Sequence, residues 1–148
     1  MRFQAEIIVP RSSAEVGAFF ENPHNLARWD RSVARVEVRS TSPASVGFTF
    51  DTIAPSGMRM TYRITEHEPE RRTTIELVSS SMFKHAAWYM HYDPVPGGVR
   101  IGCAVRFRLR ARYALLIIPL LMSQKGALRR DLEELKAAIE RAYPRTVN

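Results

Sequence analysis

The stretch WYMHYDPVPGGVRIGCAVRFRLR, residues 88–110, decides the fold. On both sides of Pro94-Val95-Pro96-Gly97-Gly98, apolar residues recur every second position, the period of a strand that buries one face. Proline presets φ and glycine reaches positive φ, so the intervening run is a tight reversal and its flanks form an antiparallel hairpin. With Tyr92 opposite Val99, residues Trp88, Met90 and Tyr92 share a face with Ile101, Cys103, Val105 and Phe107. Arg100, Arg106, Arg108 and Arg110 then line the other face.

Working backward from this hairpin, four more strands are expected at Val33–Ser40, Gly47–Ile53, Met58–Glu66 and Arg72–Ser79, with the hairpin arms at Lys84–Tyr92 and Val99–Arg110. Ser42-Pro43, Pro55-Ser56-Gly57 and Glu68-Pro69-Glu70 supply the reversals of an antiparallel meander. Residues 2–9 alternate as a first strand, closed by Pro10. Ser12 or Ser13 caps a short helix carrying Val16, Phe19 and Phe20, and Pro23 opens a second over His24–Trp29. Beyond the hairpin, Leu128, Leu132, Leu135 and Ile139 form the apolar stripe of a long helix, whose start is left open by Pro119 and Gly126.

The expected class is therefore α+β: a curved seven-stranded antiparallel sheet wrapped around a long C-terminal helix, in one domain over residues 1–148. One helix is narrower than such a sheet, so a gap should remain between them. The strand Met58, Met60, Tyr62 and the strand Trp88, Met90, Tyr92 both face the helix. Adaptable Met side chains and flat aromatic rings suit a cavity for a bulky apolar molecule. Thr73, Ser79 and Lys84 are the other polar groups expected to face it, too few to favour catalysis over binding.

Several chemistries are excluded. Cys103 is the one cysteine, which rules out an internal disulfide or a cysteine zinc site, and its apolar neighbours mark it as a buried residue of the inward face. His24, His67, His85 and His91 form no metal-ligand pattern, and Gly97-Gly98 precedes a strand instead of a helix, so neither metal nor nucleotide cofactor is expected. MRFQAEIIVP lacks the apolar run of a secretory signal, which points to the cytoplasm. The longest apolar run, Ala114–Met122, would span about 14 Å as a helix against about 30 Å of hydrocarbon.

The net charge of +7 is local. Residues 1–99 carry 11 basic and 11 acidic side chains, whereas residues 100–148 carry 11 against 4. Within the basic region lies ARYALLIIPLLMSQK, residues 111–125, apolar around the whole circumference of a helix. Arg112, Leu116, Ile117, Leu120 and Leu121 are its candidate contact residues. Two readings stay open: a cap on the cavity that also packs against a second copy of the chain, or a wedge at an anionic membrane surface. The outward Arg row is read as paired with carboxylates such as Glu6 and Glu76, so nucleic acid is not an expected partner.

PHNLARWDRSVARVEV at 23–38, Val46-Gly47-Phe48, ITEHEPERR at 64–72, WYMHYDPVPGGVRI at 88–101 and DLEELKAAIE at 131–140 occur in an order that resembles the START/Bet v 1-like helix-grip superfamily, in its polyketide cyclase/dehydrase-like branch. The resemblance covers nearly the whole chain. It implies the helix-grip fold and a hydrophobic ligand such as a lipid, quinone or polyketide, lined by Trp29, Met58, Met60, Tyr62, Trp88, Met90, Tyr92 and Cys103. Relatives that act as aromatase/cyclases use an arginine, a tyrosine and a tryptophan in the pocket. Only Trp29 and Tyr62 or Tyr92 match here, with no inward arginine, so an enzyme is the alternative and no catalytic residue is assigned. Because some relatives associate with ribosomes, a basic interaction protein is a further alternative.

Overall fold

The computed structural model describes residues 2–41, 45–124 and 126–145. In chain order it has β1 (Arg2–Val9), α1 (Ser13–Glu21), a 3-10 helix (Pro23–Arg28), β2 (Arg35–Val38), β3 (Thr49–Ile53), β4 (Arg59–Glu68), β5 (Arg72–Ser79), β6 (Phe83–Val95) and β7 (Gly98–Leu109). A second 3-10 helix (Ala111–Leu116), α2 (Ile117–Gln124) and α3 (Ala127–Ala142) complete the described elements. All strand pairs are antiparallel, in the order β1-β7-β6-β5-β4-β3-β2, so this α+β sheet is open with β1 and β2 at its edges.

Ser12 caps α1 in a reciprocal box: its Oγ accepts from the Glu15 N–H at 3.2 Å, and the Glu15 carboxylate accepts from the Ser12 N–H at 3.0 Å. Asn22 caps the first 3-10 helix by accepting from the His24 N–H at 3.1 Å, and Pro23 occupies its first position. The β6–β7 turn is tighter than the sequence implies. Pro94 and Val95 are paired with Val99 and Gly98, leaving Pro96-Gly97 as a two-residue loop with Gly97 at φ +85°. Tyr92 accordingly faces Ile101, two positions from the expected Val99. An offset of two leaves every side chain on its expected face.

Lys84 does not keep its expected phase. A β-bulge between Phe83 and His85 turns Phe83 inward opposite Leu109 and leaves Lys84 exposed. Nor does the outward Arg row pair with Glu6 or Glu76: among the described residues no ion pair joins them, and Arg106 stands between Arg2 and Ala87. Arg110 lies just past β7 and donates from Nε to the Ser80 carbonyl at 3.1 Å.

The long helix is two helices. Gly126, at φ +77°, separates α2 from α3, a backbone turn that an L side chain rarely adopts. Pro119 sits in the first turn of α2, where its missing N–H costs no hydrogen bond. From α3, Leu128, Leu132, Leu135, Ala138 and Ile139 enter a core formed with Val9, Val16, Phe19, Met90, Val99 and Ile101. A second packed cluster joins Val33, Val36, Phe48, Phe50, Tyr62 and Ile64 under the β2–β4 side of the sheet. Trp88 touches both clusters, and the space between them stays open.

The C-terminal end of α3 is tied down by Arg11, buried at 7% exposure. Its guanidinium donates to the Pro10 carbonyl at 2.7 Å and to those of Tyr143 at 2.6 Å and Glu140 at 3.4 Å, the last two at the helix end, where carbonyls lack intrahelical partners. Arg11→Ala is expected to lower unfolding stability by about 2 kcal/mol, read from a shifted urea midpoint with unchanged slope.

Candidate functional site

Two chambers occupy the gap. The larger, about 430 Å³, lies between β4–β7 and the N-terminal end of α3, walled by Met58, Met60, Tyr62, Phe83, Trp88 and Phe107 among others. The smaller, about 90 Å³, lies between α1, the first 3-10 helix and the sheet, against Phe20, Trp29, Phe48, Phe50, Met90 and Tyr92. Leu26, Asp30, Ile75 and Trp88 line both, so the two volumes adjoin at these residues.

Strand alternation puts the expected residues here. Met58, Met60 and Tyr62 reach the larger chamber, Trp29, Met90 and Tyr92 the smaller, and Trp88 stands between. Cys103 is the exception: it is packed in the main core and lines neither chamber. Burial, with the charges of Asp30 and Asp131 adding to it, pushes its thiol up to about 12, so it is an inert thiol. Thr73 lines the smaller chamber, whereas Ser79 and Lys84 are exposed and line neither.

The hydroxyls differ in their surroundings. Burial raises Tyr62 to about 12, partly offset by a hydrogen bond from the Trp88 indole N–H. Tyr92 is buried at 4% exposure, and among the described residues its Oη has no hydrogen-bond partner. The Thr73 hydroxyl beside it is paired with His67 Nδ1 at 3.0 Å.

Two carboxylates were not legible as cavity groups. Asp30, which reads as an exposed helix end, is only 6% exposed and faces both chambers. Its Oδ1 accepts from the Ser32 N–H at 2.9 Å and the Ser32 hydroxyl at 2.6 Å. Burial raises its pKa, with those bonds opposing. Asp131, in the first turns of α3, lines the larger chamber beside Arg31 and Arg130. Burial first, then the charge of Asp30, pushes it up to about 6.

Arg112, Leu116 and Ile117 lie outside the cavity wall. Arg112 donates to the Ser81 carbonyl at 2.7 Å and stacks over Tyr113. Leu116 and Ile117 are exposed at the start of α2, and the side chains of Leu120 and Leu121 fall outside the described residues. Among the described residues, no helix is long and apolar enough to cross a membrane.

An open antiparallel sheet gripping a C-terminal helix over an apolar cavity is the arrangement of the helix-grip fold, and residues 1–140 match the sequence model of the polyketide cyclase / dehydrase and lipid transport family. The chain belongs to this family. Solved structures in the START/Bet v 1-like superfamily carry the same fold. Thermus thermophilus protein TTHA0849 superposes with a TM-score of 0.79 at 15% identity, covering 97% of this chain and 99% of that one. A START superfamily protein from Mycobacterium smegmatis gives 0.74 at 9% identity, covering 95% and 98%. A norcoclaurine synthase from Thalictrum flavum, solved with a transition-state analogue, gives 0.70 at 12% identity, covering 96% and 95%. No curated protein matches the sequence. Identities this low align this family member's fold with theirs without carrying a ligand across.

Proposed function

We propose that this protein binds, and carries, a hydrophobic small molecule such as a lipid, quinone or polyketide in the cavity between the sheet and α3. The observation that carries this reading is the larger chamber. Its 430 Å³ lies within the range of small-molecule sites, and its wall is mostly apolar, with Asp30, Arg31, Ser32, Arg130 and Asp131 among its polar groups. A fully packed interior would leave no such volume under Trp88.

Native mass spectrometry of the purified protein and saturable displacement of a fluorescent apolar probe test the reading. Ala86 is buried and lines the larger chamber, so Ala86→Phe fills it from within. That substitution is expected to weaken probe binding by about tenfold or more, the equivalent of roughly 1.5 kcal/mol of lost apolar contact. Unchanged affinity in a variant that melts like the parent would place the probe elsewhere and defeat the proposal.

A second reading, that the protein loads and unloads at an anionic membrane, is favoured by the exposure of Leu115 and Ile118 beside the cavity end of α3. The segment lies in a basic stretch of the sequence: from Arg100 to Arg130 there are eight basic residues and no acidic one.

A further inference from the structure

The smaller chamber combines three features that a purely apolar ligand does not need. Seven Phe, Trp and Tyr side chains line it: Phe19, Phe20, Trp29, Phe48, Phe50, Trp88 and Tyr92. One carboxylate, Asp30, faces it, and its wall contains no lysine or arginine among the described residues. Tyr92 Oη, buried and without a hydrogen-bond partner among the described residues, belongs to the same wall. A buried hydroxyl left unpaired costs about 1–3 kcal/mol, a penalty that a ligand group seated there would remove.

The electrostatics of the two carboxylates differ. Asp131 has Arg31 and Arg130 near enough to favour its charged form. Asp30 has only the Ser32 N–H and hydroxyl, both on Oδ1, and Oδ2 accepts no hydrogen bond from the described residues. A carboxylate among aromatic rings, with no lysine or arginine on the smaller chamber's described wall, is complementary to an external cation: ring faces attract ammonium groups, and a carboxylate adds a charge-assisted hydrogen bond. At about 90 Å³ the chamber has several times the space one water needs, room for a head group but not for a chain.

We infer that the ligand is a lipophilic amine, its ammonium group in the smaller chamber against Asp30 and Tyr92 Oη and its apolar body in the larger chamber. The inference rests on the binding proposal above and adds the ligand's polar end. The ammonium supplies several N–H donors: one for Asp30 Oδ2 and one for the orphan phenol oxygen, which then acts as acceptor.

Decylamine, decanol and decanoate, matched in apolar length, separate the possibilities by calorimetric titration at about pH 8, where an alkylamine is still protonated and ordinary carboxylates are ionised. Decylamine is expected to bind tighter than decanol by about tenfold or more, the range of a hydrogen bond to a charged group, with decanoate weakest. Asp30→Asn, which retains an oxygen for Ser32, should erase the preference for decylamine over decanol. Asp131→Asn should retain most of the preference. Decanol binding as tightly as decylamine, or a greater loss of preference in Asp131→Asn than in Asp30→Asn, would overturn the ammonium assignment and leave the cavity reading standing. Failure of all three compounds to bind would instead sink the cavity reading.

Discussion

Arg39→Ala combined with Arg59→Ala is expected to destabilise the protein by about 3–5 kcal/mol, the usual cost of leaving a buried charge without its partners. Asp51, on β3, is 1% exposed. Arg39 Nε lies 2.7 Å from one carboxylate oxygen and Arg59 Nη1 2.5 Å from the other, while the Thr61 hydroxyl donates at 2.7 Å. Arg59 also holds Glu37 at 2.7 Å, so the pairs form a network across β2, β3 and β4. Removing the acid should cost less. After Asp51→Ala both half-exposed guanidinium groups can turn to water, and the loss is expected near 2 kcal/mol. The order of the two variants in urea midpoint is the test; a milder double arginine variant would mean that Asp51 draws little from its partners.

The same carboxylate sets an acid limb. Burial would raise its pKa, but hydrogen bonds from Arg39, Thr61 and Arg59 outweigh burial and hold it at about 2. An unfolded aspartate titrates near 3.9. Because the folded value is the lower, the contribution of about 2 kcal/mol is complete above about pH 4 and is lost as pH falls from there through about 2. In the double arginine variant the sign reverses. Burial, the largest influence, is then opposed only by the Thr61 hydrogen bond and raises the folded pKa above the unfolded one, so the variant's deficit should shrink as acidification protonates Asp51.

Much of the fold is legible because burial here is periodic. Two-residue alternation places Met58, Met60, Tyr62, Trp88, Met90 and Tyr92 on the inner face, and the four-three-four spacing of Leu128, Leu132, Leu135 and Ile139 does the same for α3. Alternation survives the two-position slip at Ile101 because slips of two preserve the face, yet it fails at Lys84, where one extra residue reverses it. What stays hidden is polar burial. Asp30, Arg11 and Asp51 look like ordinary surface residues in sequence. Asp30 faces a chamber it shares with Leu128 and Asp131 of α3, Arg11 meets carbonyls more than a hundred residues away, and Asp51 is paired with Arg39 just past β2 and Arg59 on β4. No local pattern encodes such partners, so the apolar half of the candidate site could be read from sequence and its charged half could not.

Leu115→Glu combined with Ile118→Glu is expected to reduce partition onto anionic vesicles by about a hundredfold or more, since each apolar side chain taken from water contributes roughly 1.5–3 kcal/mol. Leu115 is 95% exposed, Met122 74% and Ile118 66%, so the apolar surface of this segment is open to solvent. A helix of eight residues is too short to span a bilayer, and it can only lie in the interface with its apolar face sunk among the headgroups. Arg108, Arg112, Arg129 and Arg130 are exposed nearby in the chain, and each cation near an anionic surface adds about 1 kcal/mol. Binding should therefore require both parts: co-sedimentation with phosphatidylcholine vesicles weak, strengthened by phosphatidylserine, and weakened again by salt, which screens the charges but not the apolar contact. α2 leads through Gly126 directly into Ala127, Leu128 and Arg130 of the larger chamber's wall, so a docked segment would bring the cavity to the bilayer surface. Sedimentation equilibrium supplies the competing outcome. A dimer that the same two substitutions dissociate, together with no vesicle binding by the parent, would assign this face to a second copy of the chain and refute membrane docking.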